Sequence, residues 1–284
     1  MEDEIKKLID IANRIRISSL KMVHNAGAGH PGGSLSIAEM VAVLYFKEMR
    51  IDPKNPGWED RDRLILSKGH ACPALYTALA MKGYFDEKHL MTFDHIDSIL
   101  QGHPDMRLTP GLDMSAGSLG QGISVGIGMA LGARLRKKDF RTYVIIGDGE
   151  CQEGQIWESA LIAPKYKLDN LTVLLDNNEF QLVGRTDEIA SIKPIVPKWE
   201  AFGWNVITID GHDVKQIIGA IEEARGVRGK PTLINAMTVK AKGVSFMEAK
   251  AKWHYSVPTN DELKQALAEL EKKLAELEAT GGKN

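Results

Sequence analysis

Residues 144–178 begin with VIIGDGE, continue through an amphipathic stretch over 153–167, and end with LTVLLDNN. Two short apolar runs with a helical segment between them are typical of a strand–helix–strand unit, whose strands lie parallel in one sheet. This pattern therefore predicts that Asp148 and Asn178 lie at the carboxyl ends of two neighbouring strands.

The residues at these two strand ends predict an ion-binding site. One carboxylate (Asp148), one amide oxygen (Asn178) and nearby backbone carbonyls suit a hard cation such as Mg²⁺ or Ca²⁺. Gly147 and Gly149 let backbone N–H groups approach a diphosphate beside a helix N-terminus. A plain turn in which Asp148 caps the next helix would explain the GDG motif alone, but the second polar strand end favours binding.

The composition excludes several classes of protein. The 284 residues carry 36 basic and 38 acidic side chains with no basic stripe, so nucleic acid is not an expected partner. No apolar run reaches about 18 residues, which argues against a membrane span, and the acidic start at 1–4 is unlike a signal peptide. The two cysteines, Cys72 and Cys151, are expected to be reduced thiols of a cytoplasmic protein.

Apolar strands alternate with helical patterns along almost the whole chain. The expected strands are residues 64–66, 144–146, 171–175, 206–209 and 232–239. This alternation predicts an α/β fold with a doubly wound, mostly parallel sheet and helices on both faces. We assign residues 1–258 to this domain and residues 259–284 to a C-terminal amphipathic helix and tail.

Two capping-box patterns predict helix starts. Residues 36–39 (SIAE) predict a helix that runs to about residue 49, and residues 259–262 (TNDE) predict the C-terminal helix. In the C-terminal helix, leucines recur in alternating steps of four and three at positions 263, 267, 270, 274 and 277. This leucine seam is short, so we expect it to dock on a partner or on the chain's own domain.

Glycine-rich loops with histidines interrupt the predicted elements. Glycines let a loop wrap closely around a ligand, and in open α/β sheets ligands bind beyond the carboxyl ends of the strands. Standing alone, the first loop would be equally consistent with a surface turn. In chain order the loops are GHPGG (29–33), SKGHA (67–71), GHP (102–104) and GSLGQG (117–122).

In this order, the loops, the GDG motif with Asn178 and the late His254 resemble the transketolase family. The resemblance covers about residues 10–256 and corresponds to the diphosphate-binding (PP) half of a transketolase. It implies a domain that binds thiamine diphosphate through Mg²⁺ or Ca²⁺. It also implies the N-terminal subunit of a split transketolase, because the sequence holds no counterpart of the half that follows in full-length members.

The resemblance assigns a role to each motif residue. The expected metal ligands are Asp148, Asn178 and the backbone carbonyl of Phe180. The expected catalytic residues are His30 and His103, which would hydrogen-bond the reacting hydroxyls of a sugar. The expected cofactor contacts are His70, Gly117, Leu119, Gly149, Glu150, Asn178 and His254. The expected interface carboxylates are Glu153 and Glu158, where a proton network links two cofactors in the family.

Three positions stand apart from these assignments. Ser118 occupies a position where many full-length members have proline. Tyr255 follows His254 where glycine is more usual, which could shift His254. His212 receives no role from the resemblance and is left open.

The missing half implies a partner chain. In this family a glutamate of the pyrimidine-binding (Pyr) domain, supplied across a subunit interface, activates the cofactor. We therefore expect a partner subunit that carries Pyr and C-terminal domains, an α₂β₂ heterotetramer, and no activity from this chain alone. The expected contact surfaces are the leucine seam and the helix from Leu119, whose interior glycines 126, 128 and 132 indicate close packing within the subunit or against a partner.

The expected reaction moves a two-carbon ketol unit from a ketose phosphate to an aldose phosphate. A related thiamine-dependent subunit would use another sugar, a sulfosugar or an α-keto acid as donor, and the histidine pair His30 and His103 favours sugar hydroxyls. A non-catalytic thiamine-binding module is a further alternative, against which the intact motifs speak. A generic dinucleotide-binding domain would need a GxGxxG motif in its first strand–helix unit, and the sequence has none there.

Overall fold

The computed structural model describes residues 2–281, and in this range five parallel strands form one sheet in the order β1-β2-β3-β5-β4. The strands are β1 (Arg63–Leu66), β2 (Thr142–Gly147), β3 (Leu171–Asn177), β4 (Asn205–Asp210) and β5 (Thr232–Met237). Gly147 pairs with Asp176 across β2 and β3. The carboxyl ends of these two strands therefore lie side by side, as the strand–helix–strand pattern predicts.

Helices cover both faces of the sheet. In the described range they are α1 (Glu2–Ala26), α2 (Pro31–Ser36), α3 (Ala38–Val43), α4 (Cys72–Lys82), α5 (Gln121–Leu135), α6 (Gly154–Lys165), α7 (Thr186–Ala190), α8 (Ile195–Ala201), α9 (Val214–Gly226) and α10 (Asn260–Gly281). Helices α1, α3, α4 and α9 pack on one face, and α5, α6 and α8 pack on the other. Successive strand residues supply the two cores in alternation, since side chains of a strand point to opposite faces.

Glycines bring α5 close to the sheet. A Cβ added at Gly122 would lie 2.5 Å from the side chain of Ser67, and one at Gly126 would lie 2.5 Å from Val144. These two positions account for part of the predicted glycine packing within the chain. At Gly128 and Gly132 an added Cβ would meet no atom of residues 2–281 within 4 Å, so that side of α5 is open.

The C-terminal helix docks on the chain's own domain. Ala266 and Leu270 of α10 are buried in a small core with Leu20 of α1 and Trp253, and Leu263 is half-buried against it. The capping box at its start is confirmed: the Thr259 backbone N donates to Glu262, and the Glu262 backbone N donates to the Thr259 hydroxyl. Of the two predicted docking partners, the structure shows the chain's own domain.

The capping box predicted at residues 36–39 is wrong. Ser36 ends α2, and its hydroxyl donates to Gly33 O and to the buried carboxylate of Asp176. Helix α3 begins after Ile37 without a side-chain cap, and the Glu39 carboxylate pairs with Arg16 instead. Tertiary partners deep in the fold therefore outcompete the local capping bonds. The helix expected from residue 36 to about residue 49 is observed as α3 followed by the π-helical turn Leu44–Glu48, and the end of the expected GHPGG loop forms the short helix α2.

None of the helices in residues 2–281 combines the length and the apolar character that crossing a membrane requires. Both cysteines are buried free thiols.

Candidate active site

The carboxyl ends of β2 and β3 open into a cleft of about 250 Å³, here called the strand-end cleft. All the predicted metal and cofactor residues except Gly117 line it. The lining residues are Lys68, His70, Leu119, Gly147, Asp148, Gly149, Glu150, Gln152, Glu153, Asn178, Phe180, Gln181, Leu182, Lys240 and His254. Loops that are far apart in the sequence thus meet at one edge of the sheet.

Asp148 presents an unsatisfied oxygen in this cleft. Its Oδ1 accepts a hydrogen bond of 2.8 Å from the backbone N of Gly149, whereas its buried Oδ2 has no hydrogen-bond partner among residues 2–281. Burial, together with the nearby charge of Asp176, raises the pKa of Asp148 to about 7. A buried carboxylate oxygen without a donor is costly, and a cation placed beside it would remove that cost.

Asp176 is the hub of the polar network behind the cleft. Its carboxylate accepts from Ser36 Oγ at 2.7 Å and from Asn178 Nδ2 at 2.9 Å, and also from Lys68 Nζ and Thr238 Oγ1. Burial alone would raise the pKa of Asp176, but the Lys68 ammonium and these donors hold it below its usual value. Sequence reasoning missed this role, although the polar run at the end of β3, which contains Asp176, was a signal.

Two buried lysines supply positive charge to the cleft. Lys68 forms an ion pair with Asp176. Lys240 Nζ lies 2.9 Å from His254 Nδ1, and no carboxylate of the described residues forms an ion pair with it. Burial and the neighbouring Lys68 charge lower the pKa of Lys240 to about 8. Sequence reasoning assigned neither lysine a role, although Lys68 lies within the SKGHA motif and Lys240 directly follows the predicted strand 232–239.

Glu150 braces the loops that form the cleft. Its carboxylate accepts from the Ser67 hydroxyl, from Gly120 N at 2.8 Å and from Gly147 N at 3.0 Å. Burial raises the pKa of Glu150, and these donors oppose that shift. Both carboxylate oxygens therefore already have donors from the chain, which distinguishes Glu150 from Asp148.

Four predicted histidines converge above the strand-end cleft. The ring of His30 lies 5.1 Å from His70, 5.9 Å from His103 and 5.5 Å from His254 between centroids. Burial and nearby positive charges lower the pKa of His30 to about 4 and that of His254 to about 3, and burial lowers the pKa of His70 as well. These three rings, His30, His70 and His254, are neutral at neutral pH and can each donate and accept one hydrogen bond.

The predicted residues that are exposed lie at the rim of the cleft or outside it. His103 and Gly117 are exposed near each other, since a Cβ added at Gly117 would lie 3.8 Å from the His103 ring. Glu153 is exposed at the edge of the cleft, and Glu158 is exposed on α6, away from the cleft lining. His212, left open by the sequence, accepts from Val239 N at 2.8 Å and contacts Glu39. It does not line the strand-end cleft.

Comparison with known proteins places the chain in a family. Residues 8–275 match the family described as transketolase, thiamine diphosphate binding domain. The chain belongs to the transketolase family. This membership confirms the predicted family and the predicted class of enzyme, a transketolase-type transferase.

Two of the most similar curated relatives are named as transketolase subunits, and each matches this transketolase-family chain over nearly its whole length. The 6-deoxy-6-sulfo-D-fructose transketolase subunit of a Clostridium species is 50% identical over 261 residues, which cover 92% of this chain and 95% of the relative. An apulose-4-phosphate transketolase subunit of Phocaeicola vulgatus is 41% identical over 278 residues, which cover 98% of each chain. The predicted match to an N-terminal transketolase subunit is thereby confirmed.

Solved transketolases share the fold. The transketolase of Leishmania mexicana superimposes with a TM-score of 0.86 at 29% identity, over 96% of this chain and 45% of that chain. The chain thus spans a little under half the length of that transketolase. The α/β fold with a parallel sheet and helices on both faces is confirmed.

Proposed function

We propose that this chain is the N-terminal, diphosphate-binding subunit of a split transketolase, which moves a two-carbon ketol unit between sugars together with a Pyr-domain subunit. The observation that carries the proposal is the strand-end cleft. It combines an unpaired buried carboxylate oxygen, a buried lysine without an acidic partner among the described residues and a cluster of histidines. Because the chain belongs to the transketolase family, we interpret this combination as a site for thiamine diphosphate and its metal.

The cleft fits thiamine diphosphate by its charges. Lys240 lies buried with His254 as its hydrogen-bond partner, and Asp176 and Asp148 attract it without a direct ion pair, so an anionic diphosphate beside it would supply a direct counter-charge. The backbone also leaves room, because a Cβ at Gly33 would approach both His70 and Lys68 to 3.3 Å. We therefore assign Lys240 and Lys68 to the diphosphate end together with the predicted contacts His70, Gly149 and His254. Leu119 and Glu150 stay predicted cofactor contacts, with Leu119 beside the aminopyrimidine and thiazolium.

The same cleft fits a divalent cation. Asp148 Oδ2 is buried and unpaired, and Asn178 Oδ1 accepts only from Phe180 N at 3.0 Å among the described residues. No group of three His, Cys, Asp or Glu side chains in residues 2–281 is arranged to hold a metal, so the set needs the amide and carbonyl oxygens. We propose Asp148, Asn178 and the Phe180 carbonyl as ligands of Mg²⁺ or Ca²⁺, completed by diphosphate oxygens.

The histidines are placed to hold a sugar. Thiamine diphosphate, when bound, supplies the carbanion chemistry of two-carbon transfer. His30 and His103 would hydrogen-bond the hydroxyls of the sugar, and the lowered pKa of His30 keeps that ring neutral so that one nitrogen accepts and the other donates. The carboxylates Glu153 and Glu158 are exposed on the side where we propose that the partner subunit binds.

A sulfosugar donor is the second candidate. The relative with 50% identity carries 6-deoxy-6-sulfo-D-fructose in its name, whereas a ketose phosphate is the donor expected from the family resemblance. Both donors present the same ketol unit to the histidines and differ at the far end of the sugar. We propose the α₂β₂ assembly and a cytoplasmic location with either donor.

Reconstitution tests the proposed function. The full chain, a purified candidate Pyr-domain subunit, thiamine diphosphate and Mg²⁺ are mixed, and two-carbon transfer is measured with ketose phosphates and with sulfofructose as donors. We expect transfer from the mixture and none from either chain alone. Transfer by the single chain would contradict the need for a partner, and the preferred donor separates the two candidates.

Metal dependence is tested by binding alone. Calorimetry with thiamine diphosphate should show Mg²⁺-dependent binding that EDTA abolishes. Asp148→Asn should weaken it about 100-fold, since a metal ligand charge is lost. Asp139→Asn, at an exposed carboxylate paired with Arg50, is the matched control and should bind normally. Equal affinity in the two variants would remove Asp148 from the metal site.

A further inference from the structure

A second cavity, of about 420 Å³, lies between α1, α10 and the loop that follows β5. It is here called the Arg16 cavity, and it shares no lining residue with the strand-end cleft. Three cationic side chains from three different elements line it, namely Arg16 of α1, Lys242 of the loop and Lys273 of α10. Apolar surface from Ile9 and Leu277 completes the wall.

Arg16 is buried with part of its hydrogen-bonding capacity unused. Its Nη2 donates to both carboxylate oxygens of Glu39, at 2.7 and 2.6 Å. Its Nε is buried and has no hydrogen-bond partner within residues 2–281. Buried guanidinium donors are normally satisfied, so the buried Arg16 side chain still lacks part of its usual hydrogen-bond partners.

The charges around the cavity do not balance internally. The Glu39 carboxylate is already shared between Arg16 and His212, whose Nδ1 lies 3.1 Å from Oε2. Lys273 Nζ donates to the backbone oxygen of Gly243 at 2.8 Å, and no carboxylate of the described residues forms an ion pair with it. Burial and the Arg16 charge lower the pKa of Lys273, which reflects the proximity of two cations.

Carboxylates at the rim offset this charge only weakly. Lys242 lies 3.8 Å from Glu248, which also accepts from Gly243 N. Glu276 lines the cavity with a side chain that is 64% exposed and lies 3.9 Å from Lys272. The Lys242 pair is half-buried and the Lys272 pair is exposed, and at 3.8 and 3.9 Å both contribute little. Glu248 and Glu269 attract Lys273 only at longer range, so a bound anion would be the first group to pair with it directly.

The backbone holds the loop tightly against the cavity wall. Gly243 has a φ of +104°, and a Cβ there would lie 3.0 Å from both Arg16 Cδ and Leu270 Cδ2. A side chain at this position would push the loop away from α1 and α10. The glycine therefore fixes Lys242 beside Arg16 and Lys273.

We propose that the Arg16 cavity binds the phosphate group of a small anion, with Arg16, Lys242 and Lys273 as donors. A phosphate offers several acceptor oxygens in a tetrahedron, which suits donors that approach from three elements. The volume leaves room for a small carbon skeleton against Ile9 and Leu277. The site is independent of the cofactor cleft and of the function proposed for it.

Calorimetric titration tests this site. Inorganic phosphate and glycerol 3-phosphate are titrated into the full chain at constant ionic strength, with and without thiamine diphosphate and Mg²⁺. We expect one saturable site whose affinity is the same in both conditions. Equal affinity for the two ligands would identify free phosphate as the ligand, and tighter binding of glycerol 3-phosphate would identify a phosphate monoester; either supports the proposal.

Charge-removing variants locate the binding. The double variant Lys242→Gln with Lys273→Gln should weaken phosphate binding at least tenfold, whereas Lys264→Gln, on the same helix as Lys273, should change nothing. If the double variant does not fold, Lys242→Gln alone should weaken binding about threefold. Absence of saturable binding, unchanged affinity in the variants, or displacement of phosphate by thiamine diphosphate would each overturn the proposal.

Discussion

Asp148 and Asp176 lie at the ends of neighbouring strands of one sheet, and both are buried, yet they differ in their hydrogen-bond partners and in the direction of their pKa shifts. Asp176 accepts hydrogen bonds from four side chains and pairs with Lys68. Asp148 accepts one backbone bond and leaves Oδ2 without a donor among the described residues. Accordingly the pKa of Asp176 is lowered and that of Asp148 is raised to about 7.

The difference shows that the number of hydrogen-bond and charge partners, rather than the degree of burial, decides whether the pKa of a buried carboxylate is lowered or raised. The Asp176 carboxylate finds all its hydrogen-bond donors within the chain and links the loops that supply them. Asp148 lines the cleft where we propose a metal, and its buried Oδ2 has no hydrogen-bond partner within residues 2–281. Glu150 is intermediate, because it is buried with a raised pKa but has three donors.

The largest effect is expected from Asp176→Asn. The variant leaves the Lys68 ammonium buried without a counter-charge, which typically costs about 3–5 kcal/mol. Urea unfolding measures the loss of free energy of unfolding. Asp139→Asn, which breaks an exposed pair with Arg50, should cost at most about 1 kcal/mol. A loss in Asp176→Asn no larger than in this control would refute the role of Asp176 as the hub.

A pH-dependent effect is expected from Asp148→Asn in the metal-free chain. Because the folded pKa of Asp148, about 7, exceeds the ordinary value of 3.8, ionisation destabilises the wild type as pH rises from about 4 to 7. The variant lacks this loss, so its stability relative to wild type should increase by up to roughly 4 kcal/mol across that window.

Unfolding in EDTA at pH values of about 4.5, about 6.0 and about 7.5 measures this difference. His30 and His254 have lowered pKa values and act with the opposite sign, since they destabilise the fold as pH falls below their ordinary value. They are present in both proteins and cancel in the comparison. Parallel stability curves for variant and wild type would show that Asp148 is not held at a raised pKa.

The smallest effect is expected from Ser67→Ala. Glu150 loses one donor but keeps the backbone donors of Gly120 and Gly147, and the Gly122 backbone N loses its acceptor, so the cost should be about 1–2 kcal/mol. Thermal unfolding near neutral pH measures it, with Ser191→Ala on the exposed loop as control. A loss of stability as large as that of Asp176→Asn would show that the fold depends on Glu150 as strongly as on Asp176, and not to an intermediate degree.

Much of the fold could be predicted because it depends on local patterns. The strands, the helices on both faces and the capping box at Thr259 follow from residues that are close in sequence, and all are observed. The same reasoning failed at Ser36, whose hydroxyl binds Asp176, 140 positions away. A capping motif predicts a helix start well when only solvent competes for its hydrogen bonds. It fails when a buried carboxylate offers its side chain a stronger hydrogen bond.

The sequence by itself determined which loops carry glycine and histidine, in which order they occur, and that Asp148 and Asn178 end adjacent strands. Only the tertiary structure decided which carboxylate has all its hydrogen-bond donors. Two of the partners of Asp176 are distant in sequence, Lys68 by 108 positions and Thr238 by 62. It likewise left Lys240 buried beside His254 and Arg16 with a nitrogen unpaired among the described residues. The hydrogen-bond and charge partners of a buried group come from distant parts of the sequence. Which buried groups have no partner can therefore be seen only in the folded chain.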